Sequence, residues 1–563
     1  MSTIQQIYAR EVLDARGIPT IECSLWLDDG RSVMTTVPSG TSTGKYEAKE
    51  LRDNDPNRMV GRGVLKAVNN VNFILGPQLI GKDPTNQTDN DQLLVNLDGS
   101  RDKSKLGANA IIAVSQTILK AGALSSNLPL YKYIQQKYQL TNTLSIPNCV
   151  FNLIEGGKHG AENLDIQEFE IIPASHLNYP DALNMAVTIY TKLREVLIMK
   201  GAIHSTGLNG GYTPNLFNNT DAFEIIIETI KATPYTFAQD VFLGADMSAS
   251  SFYENGKYIL KDKSQPYSAN ELAKYYKSLK ELYHVFYIED AFQEDDVKAW
   301  KELTLDIGST SMIVGDSLLV TSLEKTTKAI QDKLCNSVLV KPNQTGTVSE
   351  TIQVIKLAKE SGWQVIVSHR SGGTIDDFVV DLAVGTGAQY VKFGPPNRGE
   401  RIAKYNRLST IYSELQYDAQ QVATAQQPEM PAQIQPTDLQ TATPIQAELT
   451  QSIHINDVPN PLQQQISEIT TDPMINSSPD LSQPTTVTTP DPNPIVNLEQ
   501  STITPVNVGQ TAPNTNQPSV STQMASVPQQ QTTNQTQPIE NSNQPVVLNP
   551  EGSVNITSPL ENN

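Results

Sequence analysis

Six apolar runs after residue 145 each end in a side chain that could take part in chemistry. They close at Asp246, Glu289, Asp316, Lys341, residues 368–370 and Lys392. Three carboxylates with no His or Cys among them are the oxygen ligands that Mg²⁺ prefers. Lys341 follows the apolar run SVLV, where burial and neighbouring cations can lower the pKa of an ammonium group toward use as a base. With Arg370 and Lys392 in the later runs, the pattern predicts a site for an anionic substrate bridged by metal.

The spacing of the runs indicates how these side chains would meet. From Glu289 onward the polar ends follow at intervals of 27, 25, 28 and 23 residues, which suits one buried parallel strand and one covering helix per unit. This rhythm predicts a (β/α)8 barrel, whose active site forms at the carboxyl ends of the strands. A single acid there is as often solvated or a helix cap, and a lone lysine is more often structural. Three acids in successive units favour a shared site.

The first 140 residues follow a different pattern. Two sets of side chains alternate before the turn Asp29-Gly30: Ile21, Cys23, Leu25 and Leu27 against Glu22, Ser24 and Trp26. This alternation predicts a β-hairpin. The next segment, PSGTSTG (38–44), has no apolar anchor, and we expect it to be mobile. Residues 57–139 have helical periodicity, with one clear apolar stripe: Leu106, Ala110, Ile111, Val114, Ile118 and Ala121. Strands followed by helices predict an α+β domain.

The last quarter of the chain differs from the rest in composition. All 41 Lys and Arg residues occur by Arg407, whereas 14 of the 60 acidic residues follow it. Residues 421–563 contain no Phe, Tyr or Trp and hold 20 of the 35 prolines. Such a segment cannot bury enough apolar surface to offset the entropy of ordering. We therefore predict a disordered Gln/Pro/Thr-rich tail over 419–563, after an N-terminal domain over 1–140 and a barrel domain over 141–418.

The composition also excludes several classes of protein. The mildly acidic ordered part has no basic patch, so nucleic acid is not an expected partner. Three widely spaced cysteines within or beside apolar runs indicate reduced thiols and no disulfide framework or zinc site. The amino terminus lacks the apolar region of a signal peptide, and no stretch approaches ~20 apolar residues. We expect a cytoplasmic protein without a membrane span, with surface display by another route left open.

The strand ends occur together with further motifs in a fixed order: DARGIPTIE (14–22), VPSGTSTG (37–44), LRDND (51–55), KSKLGANAI (103–111), GGKHG (156–160), QEF (167–169), GGYTPN (210–215), KPNQTGT (341–347), SHRSG (368–372) and RIAKYN (401–406). Over residues 1 to about 418 these motifs resemble enolase, the phosphopyruvate hydratase of glycolysis. The resemblance implies an N-terminal α+β domain, an enolase-type (β/α)8 TIM-like barrel, and dehydration of 2-phosphoglycerate to phosphoenolpyruvate. Enolase-superfamily sites use a Lys or His base with one or two Mg²⁺ ions.

The resemblance also implies roles for the metal-binding and proton-transfer residues. Asp246, Glu289 and Asp316 match the ligands of a first Mg²⁺, and Ser42 matches a residue that helps to hold a second. Lys341 matches the base that removes the proton next to the substrate carboxylate. That proton becomes removable only when cations in a closed site neutralise the dianionic intermediate.

The remaining matches surround the rest of the substrate. Lys392 matches the lysine that helps to neutralise the intermediate, and Arg370 with Ser371 matches the phosphate-binding pair. The hydroxyl end of the substrate would be lined by three further residues: His159, Glu168 and His369. Taken alone, His159 is more readily interpreted as a hydrogen-bonded core histidine, but the motifs GGKHG and QEF around it favour the functional role.

The chain departs from the family at the general acid. Where the family has Gly-Asp-Glu-Gly-Gly, this chain has Leu208 and Asn209 between Gly207 and Gly210. Asn209 thus stands where a glutamate would protonate the departing hydroxide, and an amide has no proton to transfer at pH 7. Two substitutes are conceivable: protonation by Glu168 or by a metal-polarised water, or deamidation of Asn209 to Asp. Acids of the family are also replaced in the motif after residue 368, at Gly373 and Ile375.

Three functions are compatible with these observations. Losing a general acid costs about 10²–10⁴-fold in rate, whereas enzymes gain 10⁶-fold or more, so an impaired enolase is the leading interpretation. The alternative is a catalytically inactive enolase-like protein that binds Mg²⁺ and phospho-acids as a scaffold, sensor or surface binding protein. A third assigns the function to the tail, as a polyproline-like arm for protein partners, against a solvated extension with none. The resemblance implies a homodimer with Arg16 at the contact, although octamers also occur.

Overall fold

The computed structural model describes residues 2–40 and 44–425. The chain begins with a sheet of three antiparallel strands in the order β1 (Ile4–Leu13), β2 (Pro19–Leu27) and β3 (Ser32–Thr36). The predicted hairpin is confirmed, because β2 pairs with β3 through Cys23 and Thr35, and the apolar set of β2 is buried. Residues 41–43 of the loop that we expected to be mobile lie outside the described residues.

Helices follow this sheet and complete the N-terminal part of the chain: α1 (Leu65–Asn70), α2 (Gln87–Asp98), α3 (Ala108–Ser125) and α4 (Leu130–Tyr138). The predicted stripe is buried and lies on α3 from Ala110 to Ala121, with Leu106 just before the helix. Burial extends almost all the way around this helix, including Ser115 and Thr117. The Thr117 hydroxyl donates to the carbonyl of Ala113 at 2.6 Å, and the Ser115 hydroxyl accepts from the backbone N–H of Val348 at 2.9 Å. Both polar groups are therefore satisfied inside the core.

Eight further strands close into a barrel, and a separate ribbon is formed by β7 (Tyr253–Glu254) and β8 (Lys257–Tyr258). The barrel strands are β4 (Asn148–Glu155), β5 (Glu168–Pro173), β6 (Val241–Asp246), β9 (Val285–Glu289), β10 (Met312–Gly315), β11 (Ser337–Val340), β12 (Gln364–Ser368) and β13 (Tyr390–Lys392). The predicted barrel is confirmed, and each predicted run forms a strand at the expected place.

One strand departs from the all-parallel arrangement that the spacing suggested. β5 runs antiparallel to both β4 and β6, whereas every other neighbouring pair in the barrel is parallel. The reason is the connection, because only the segment 156–167 joins β4 to β5 and it contains no α-helix. A parallel neighbour usually needs a helical crossover, which this segment does not provide. The amino-terminal end of β5 therefore lies beside the carboxyl end of β4.

Helices cover the outside of the barrel and fill its connections: α5 (Tyr179–Met199), α6 (Asn219–Lys231), α7 (Ala269–Tyr283), α8 (Val297–Ile307), α9 (Leu323–Asp332), α10 (Pro342–Thr345), α11 (Val348–Glu360), α12 (Phe378–Thr386) and α13 (Gly399–Ala425). Their amino ends are fixed by local signals. Ser268 and Glu271, for example, form a capping box at the start of α7, which satisfies backbone N–H groups that the helix leaves open.

The last helix continues beyond the predicted start of the tail. α13 runs to Ala425 rather than ending at Asp418, whose carboxylate pairs with Lys132 at 2.6 Å. The sequence explains the extension, since the first proline after Arg407 is Pro428 and prolines are the strongest helix breakers. The rest of the predicted disordered tail, residues 426–563, lies outside the described residues, so its disorder stays a prediction.

The structure bears on two features that the sequence analysis excluded, a disulfide framework and a membrane span. Cys23, Cys149 and Cys335 are all buried and free, and burial raises the pKa of the Cys23 thiol to about 12. Among the described residues, no helix combines the length and the apolar character that crossing a bilayer requires.

The entry into α3 generates a stability prediction. Gly107 has φ +99°, and a Cβ there would lie 2.6 Å from the Leu51 Cβ and 2.6 Å from the Asn109 Oδ1. Gly30 also has positive φ, +84°, but a Cβ there would contact nothing within 4 Å. We expect Gly107→Ala to lose about 2–4 kcal/mol and Gly30→Ala only about 1–2 kcal/mol, because only the first adds overpacking to backbone strain.

Urea denaturation of both variants, followed by circular dichroism, measures this difference. Equal losses for the two variants would mean that backbone strain alone determines the cost at Gly107.

Candidate active site at the barrel mouth

The inward-facing side chains of the barrel change from apolar to polar toward one end. A buried apolar layer inside the barrel includes Tyr287, Val314, Leu339 and Ile366. Because side chains along a strand alternate between its two faces, the residues two positions further along also face the interior: Glu289, Asp316, Lys341 and Ser368. The hydrophobic pattern that closes the barrel thus places the polar strand ends in a single layer above the core.

One cavity at this end brings together every predicted site residue that the structure describes. It is lined by His159, Gln167, Glu168, Asn209, Asp246, Glu289, Asp316, Lys341, Ser368, His369, Arg370, Ser371 and Lys392. Ser42, the remaining predicted ligand, lies outside the described residues. All eight barrel strands contribute, either directly or through the segment that follows the strand, as expected for the mouth of a barrel.

Four acids form a row across neighbouring strands at the rim of the barrel. Glu155 pairs in register with Glu168, Glu168 with Asp246, and Asp246 with Glu289. Neighbouring strands are about 4.8 Å apart, and like charges directly opposite each other are destabilising. Burial and then the charge of Glu289 raise the pKa of Asp246 well above its ordinary value. The row therefore requires protons or cations.

Lys392 supplies one of these cations. Its Nζ lies 2.7 Å from Glu289 Oε2, 2.9 Å from Glu168 Oε2 and 2.7 Å from Glu170 Oε1, and it is 3% exposed. Burial opposes the charge on Lys392, but these carboxylates outweigh it and hold its pKa well above the usual range. The lysine is consequently a fixed positive charge in the wall of the site.

Lys341 and Asp316 form the opposite wall. The Lys341 ammonium donates to Asp316 Oδ2, and Gln344 Nε2 donates to Asp316 Oδ1 at 2.9 Å. Burial acts to raise the pKa of Asp316, but the nearby Lys341 outweighs it and the pKa is lowered. Both oxygens of this carboxylate thus have donors.

The chemistry of the acids fits Mg²⁺. Asp246, Glu289 and Asp316 line one cavity and offer only carboxylate oxygens, the donor type that Mg²⁺ takes. The raised pKa of Asp246 indicates repulsion that a cation would relieve. Within residues 2–40 and 44–425, no three acidic, His or Cys side chains meet closely enough to enclose an ion, and the acids contact Lys341 and Lys392 instead. Binding a metal at Asp316 requires the Lys341 ammonium to withdraw, because it contacts that carboxylate.

Asn209 is held by hydrogen bonds at both ends of its side-chain amide. Its Nδ2 donates to Glu168 Oε1 at 2.8 Å and lies 3.0 Å from His159 Nδ1, while its Oδ1 accepts from Arg401 Nη2 at 3.1 Å. The residue is 1% exposed. Such a fixed amide cannot easily rotate toward the following backbone nitrogen, as deamidation requires. The structure therefore favours a permanent asparagine here over conversion to aspartate.

The predicted phosphate and hydroxyl residues lie on the remaining side of the cavity. Ser371 Oγ lies 3.2 Å from His159 Nε2, and Arg370 Nη1 donates to Glu47 Oε2 at 2.9 Å. The Nδ1 atom of His369 is buried without a hydrogen-bond partner among the described residues. Burial and then the charge of Arg401 lower the pKa of His369 well below its usual value. This histidine is thus neutral at pH 7.

Of the two positions after residue 368 where the resemblance implies an acid, Gly373 packs against Arg401 and is not among the residues that line the cavity. A Cβ added at Gly373 would lie 2.8 Å from Arg401 Nη1, beside the guanidinium that holds Asn209. Ile375, by contrast, is 77% exposed.

Sequence reasoning missed two buried acids. Glu170 is fully buried in β5, and burial, with Glu289 and Glu168 nearby, raises its pKa to about 8. It follows Glu168 by two positions, so the alternation in QEFE indicated that both face the barrel interior. Glu155 ends the apolar run of β4 just as the recognised acids end theirs, so the same strand-end criterion would have found it.

Comparison with protein families agrees with this geometry. Residues 4–134 match the model described as "Enolase, N-terminal domain", and residues 143–429 match "Enolase, C-terminal TIM barrel domain". Together the two matches span well over half of the chain, in the order in which the sheet-and-helix domain and the barrel occur. On this fold, this order and this site, the chain belongs to the enolase family.

Proposed function

We propose that the chain is a slow, Mg²⁺-dependent enolase that dehydrates 2-phosphoglycerate to phosphoenolpyruvate. The observation that carries this proposal is the meeting of a lysine, three carboxylates and an arginine–serine pair in one cavity, opposite an amide where an acid is needed. Family membership supports a lyase of this superfamily, and the choice of 2-phosphoglycerate rests on the resemblance of the individual residues.

In the proposed mechanism, the substrate phosphate binds Arg370 and Ser371. Lys341 accepts the proton from the carbon next to the carboxylate, after its ammonium has lost a proton and left Asp316. Lys392 is the fixed positive charge that stabilises the negative charge developing on the carboxylate. Mg²⁺, held by Asp246, Glu289 and Asp316, with Ser42 assigned to a second ion, would supply Lewis-acid stabilisation of that same charge.

Departure of the hydroxide is the weak step in this proposal. Asn209 can donate a hydrogen bond to the leaving oxygen but cannot give it a proton. Burial acts against ionisation of Glu168, but Lys392 and His159 outweigh it, so its pKa lies well below the ordinary value. Glu168 is then a carboxylate that accepts hydrogen bonds from Asn209, and this favours an orienting role over proton donation. Water remains as the proton source, which implies slow turnover.

The second candidate function is a binding protein without turnover, and the fixed amide of Asn209 is the observation that favours it. The two candidates share the phospho-acid and Mg²⁺ and differ only in chemistry. We also propose a cytoplasmic homodimer, on family grounds. Arg16, the assigned contact residue, pairs with Asp14 at 3.0 Å and has a largely buried side chain, so any contact would use the backbone and neighbours of this pair. Light scattering gives the oligomeric state.

Turnover distinguishes the two candidates. We expect the full chain with excess Mg²⁺ to form phosphoenolpyruvate, followed by its ultraviolet absorbance, and Lys341→Met to lower the rate by at least about 10²-fold because the base is gone. Lys298→Met, at an exposed lysine on α8, is the matched control and should leave the rate unchanged. No product from the native chain would assign the binding function, and equal rates for both variants would remove Lys341 from the mechanism.

Ligand binding tests the anionic side of the site independently of turnover. Calorimetric titration with phosphoenolpyruvate should give binding in Mg²⁺ that is lost on adding a chelator. Arg370→Gln should weaken this binding by at least about 10-fold, since a charged hydrogen bond contributes roughly 1.5–3 kcal/mol. Arg101→Gln, at an exposed arginine, is the control. An affinity that changes neither on adding the chelator nor in Arg370→Gln would place the ligand outside this cavity.

A further inference from the structure

Glu155 is a buried acid that the proposed mechanism does not use. It is fully buried at the end of β4. Its Oε1 accepts from the backbone N–H of Gly211 at 2.7 Å, and its Oε2 accepts from the backbone N–H of Asn209 at 3.2 Å. A third donor, Asn152 Nδ2, lies 3.3 Å from Oε1. The carboxyl group thus holds both ends of the short segment that carries Asn209.

Asn209 lies between two carboxyl groups of the acid row. Glu155 binds its backbone N–H, and Glu168, directly across the strand pair from Glu155, accepts from its side-chain amide. The space around the segment is closed, since a Cβ on Gly207 would lie 2.3 Å from Glu155 Oε2 and one on Gly211 3.0 Å from Glu155 Oε1. The backbone of residues 209–211 is therefore held against Glu155 by two hydrogen bonds and close packing, which sets the point from which the Asn209 amide extends toward Glu168 and Arg401.

We infer that Glu155 and Asn209 work as one unit. Glu155, at the end of β4, provides a carboxyl group, and this group positions the side-chain amide of Asn209. Glu155 is therefore a positioning residue for Asn209. The inference rests on the proposed function only for the role of Asn209 toward the leaving hydroxide. The arrangement itself is a property of the fold.

The charged groups around Glu155 support this assignment. Burial and then the charge of Glu168 on β5 raise the pKa of Glu155 to about 8, against the opposing effects of the N–H groups of Gly211 and Asn209 and of Arg401 on α13. Tyr190 on α5 also interacts with it. Two neighbouring carboxyls with pKa values moved in opposite directions are the usual sign of a division into acid and base. Glu155 is the protonated member.

The inference predicts how a restored glutamate would behave. Asn209→Glu places a third carboxyl between Glu155 and Glu168, and Arg401, 3.1 Å from Asn209 Oδ1, is a single cation facing three acids, so this variant should melt several degrees below the native chain. In the double variant Glu155→Gln/Asn209→Glu, one carboxyl and one amide are again present, and we expect at least half of that loss to be recovered. Phosphoenolpyruvate formation by the double variant should exceed that of Asn209→Glu by about 10-fold or more.

Glu170→Gln/Asn209→Glu is the matched control. Glu170 is also fully buried, with a pKa raised to about 8, but it contacts Lys392 and not the 207–211 segment. Removing it should therefore not rescue Asn209→Glu. Rescue by Glu170→Gln as large as rescue by Glu155→Gln, or an Asn209→Glu variant as stable as the native chain, would overturn the inference.

A pH series adds a measurement that a merely structural role would not affect. Because the pKa of Glu155 is raised on folding from 4.5 to about 8, the folded chain keeps a proton that the unfolded chain loses. Stability from this group is complete below pH 4.5 and is lost as the pH rises to about 8. The melting temperature of Glu155→Gln should therefore rise relative to that of the native chain between these pH values. Above pH 8 the difference between the two should be constant.

The outcomes distinguish a failure of the inference about Glu155 from a failure of the proposed enolase function. A melting-temperature difference that is constant with pH would mean that Glu155 is not the protonated member, and the inference would be wrong. If Glu155→Gln does not fold, Glu155→Asp, which withdraws the carboxyl by one methylene, should show weaker coupling to Asn209→Glu in the same melting assay. Full coupling in stability without phosphoenolpyruvate formation by any variant would remove the proposed function and leave the inference standing.

Discussion

The site depends on the need to neutralise acids that the barrel holds side by side. Glu155, Glu168, Asp246 and Glu289 occupy one row because the register of four strands places them there. The backbone hydrogen bonds of a closed barrel cannot shift to relieve the repulsion, since a slip of one residue would turn every inward side chain outward. In the described residues the relief comes from Lys392, which contacts Glu168 and Glu289; the proton on Glu155 and the Mg²⁺ at Asp246 are what we propose for the rest of the row. The polarity of the site follows from this requirement.

The N-terminal domain contributes to the same balance across the boundary with the barrel. Glu47 neutralises Arg370, which would otherwise be a buried cation beside Lys341. Asp376, after β12, pairs with Lys120 on α3 at 2.8 Å and accepts from the backbone N–H of Thr36. Removing one member of such a buried pair costs more than the pair contributes, because the remaining charge stays unsolvated. These pairs fix the two parts against each other next to the mouth.

Much of the site could be predicted from sequence because each parallel strand ends where the polar side chains begin. Asp246, Glu289, Asp316, Lys341 and Lys392 follow apolar runs of strand length, and these local signals agree with the global fold. Glu168 could not be found in this way, since β5 runs in the opposite direction and presents its first residue to the mouth. Only the motif around Glu168 indicated it.

The hydrogen bonds of the site were beyond sequence reasoning. That Asn209 lies between Glu155 and Glu168 depends on a loop that returns to the end of β4, and no periodic pattern encodes such a return. Burial around the whole of α3 has the same cause, since an apolar stripe indicates one covered face and the second depends on what packs there. In both cases tertiary contacts decide what local pattern leaves open.

The burial of α3 on all sides has a consequence for how this protein can diverge. One face of the helix belongs to the sheet of β2 and β3, and another lies against α10 and α11 of the barrel. A substitution in its middle must suit two surfaces at once, so the two halves cannot be exchanged between relatives as independent modules.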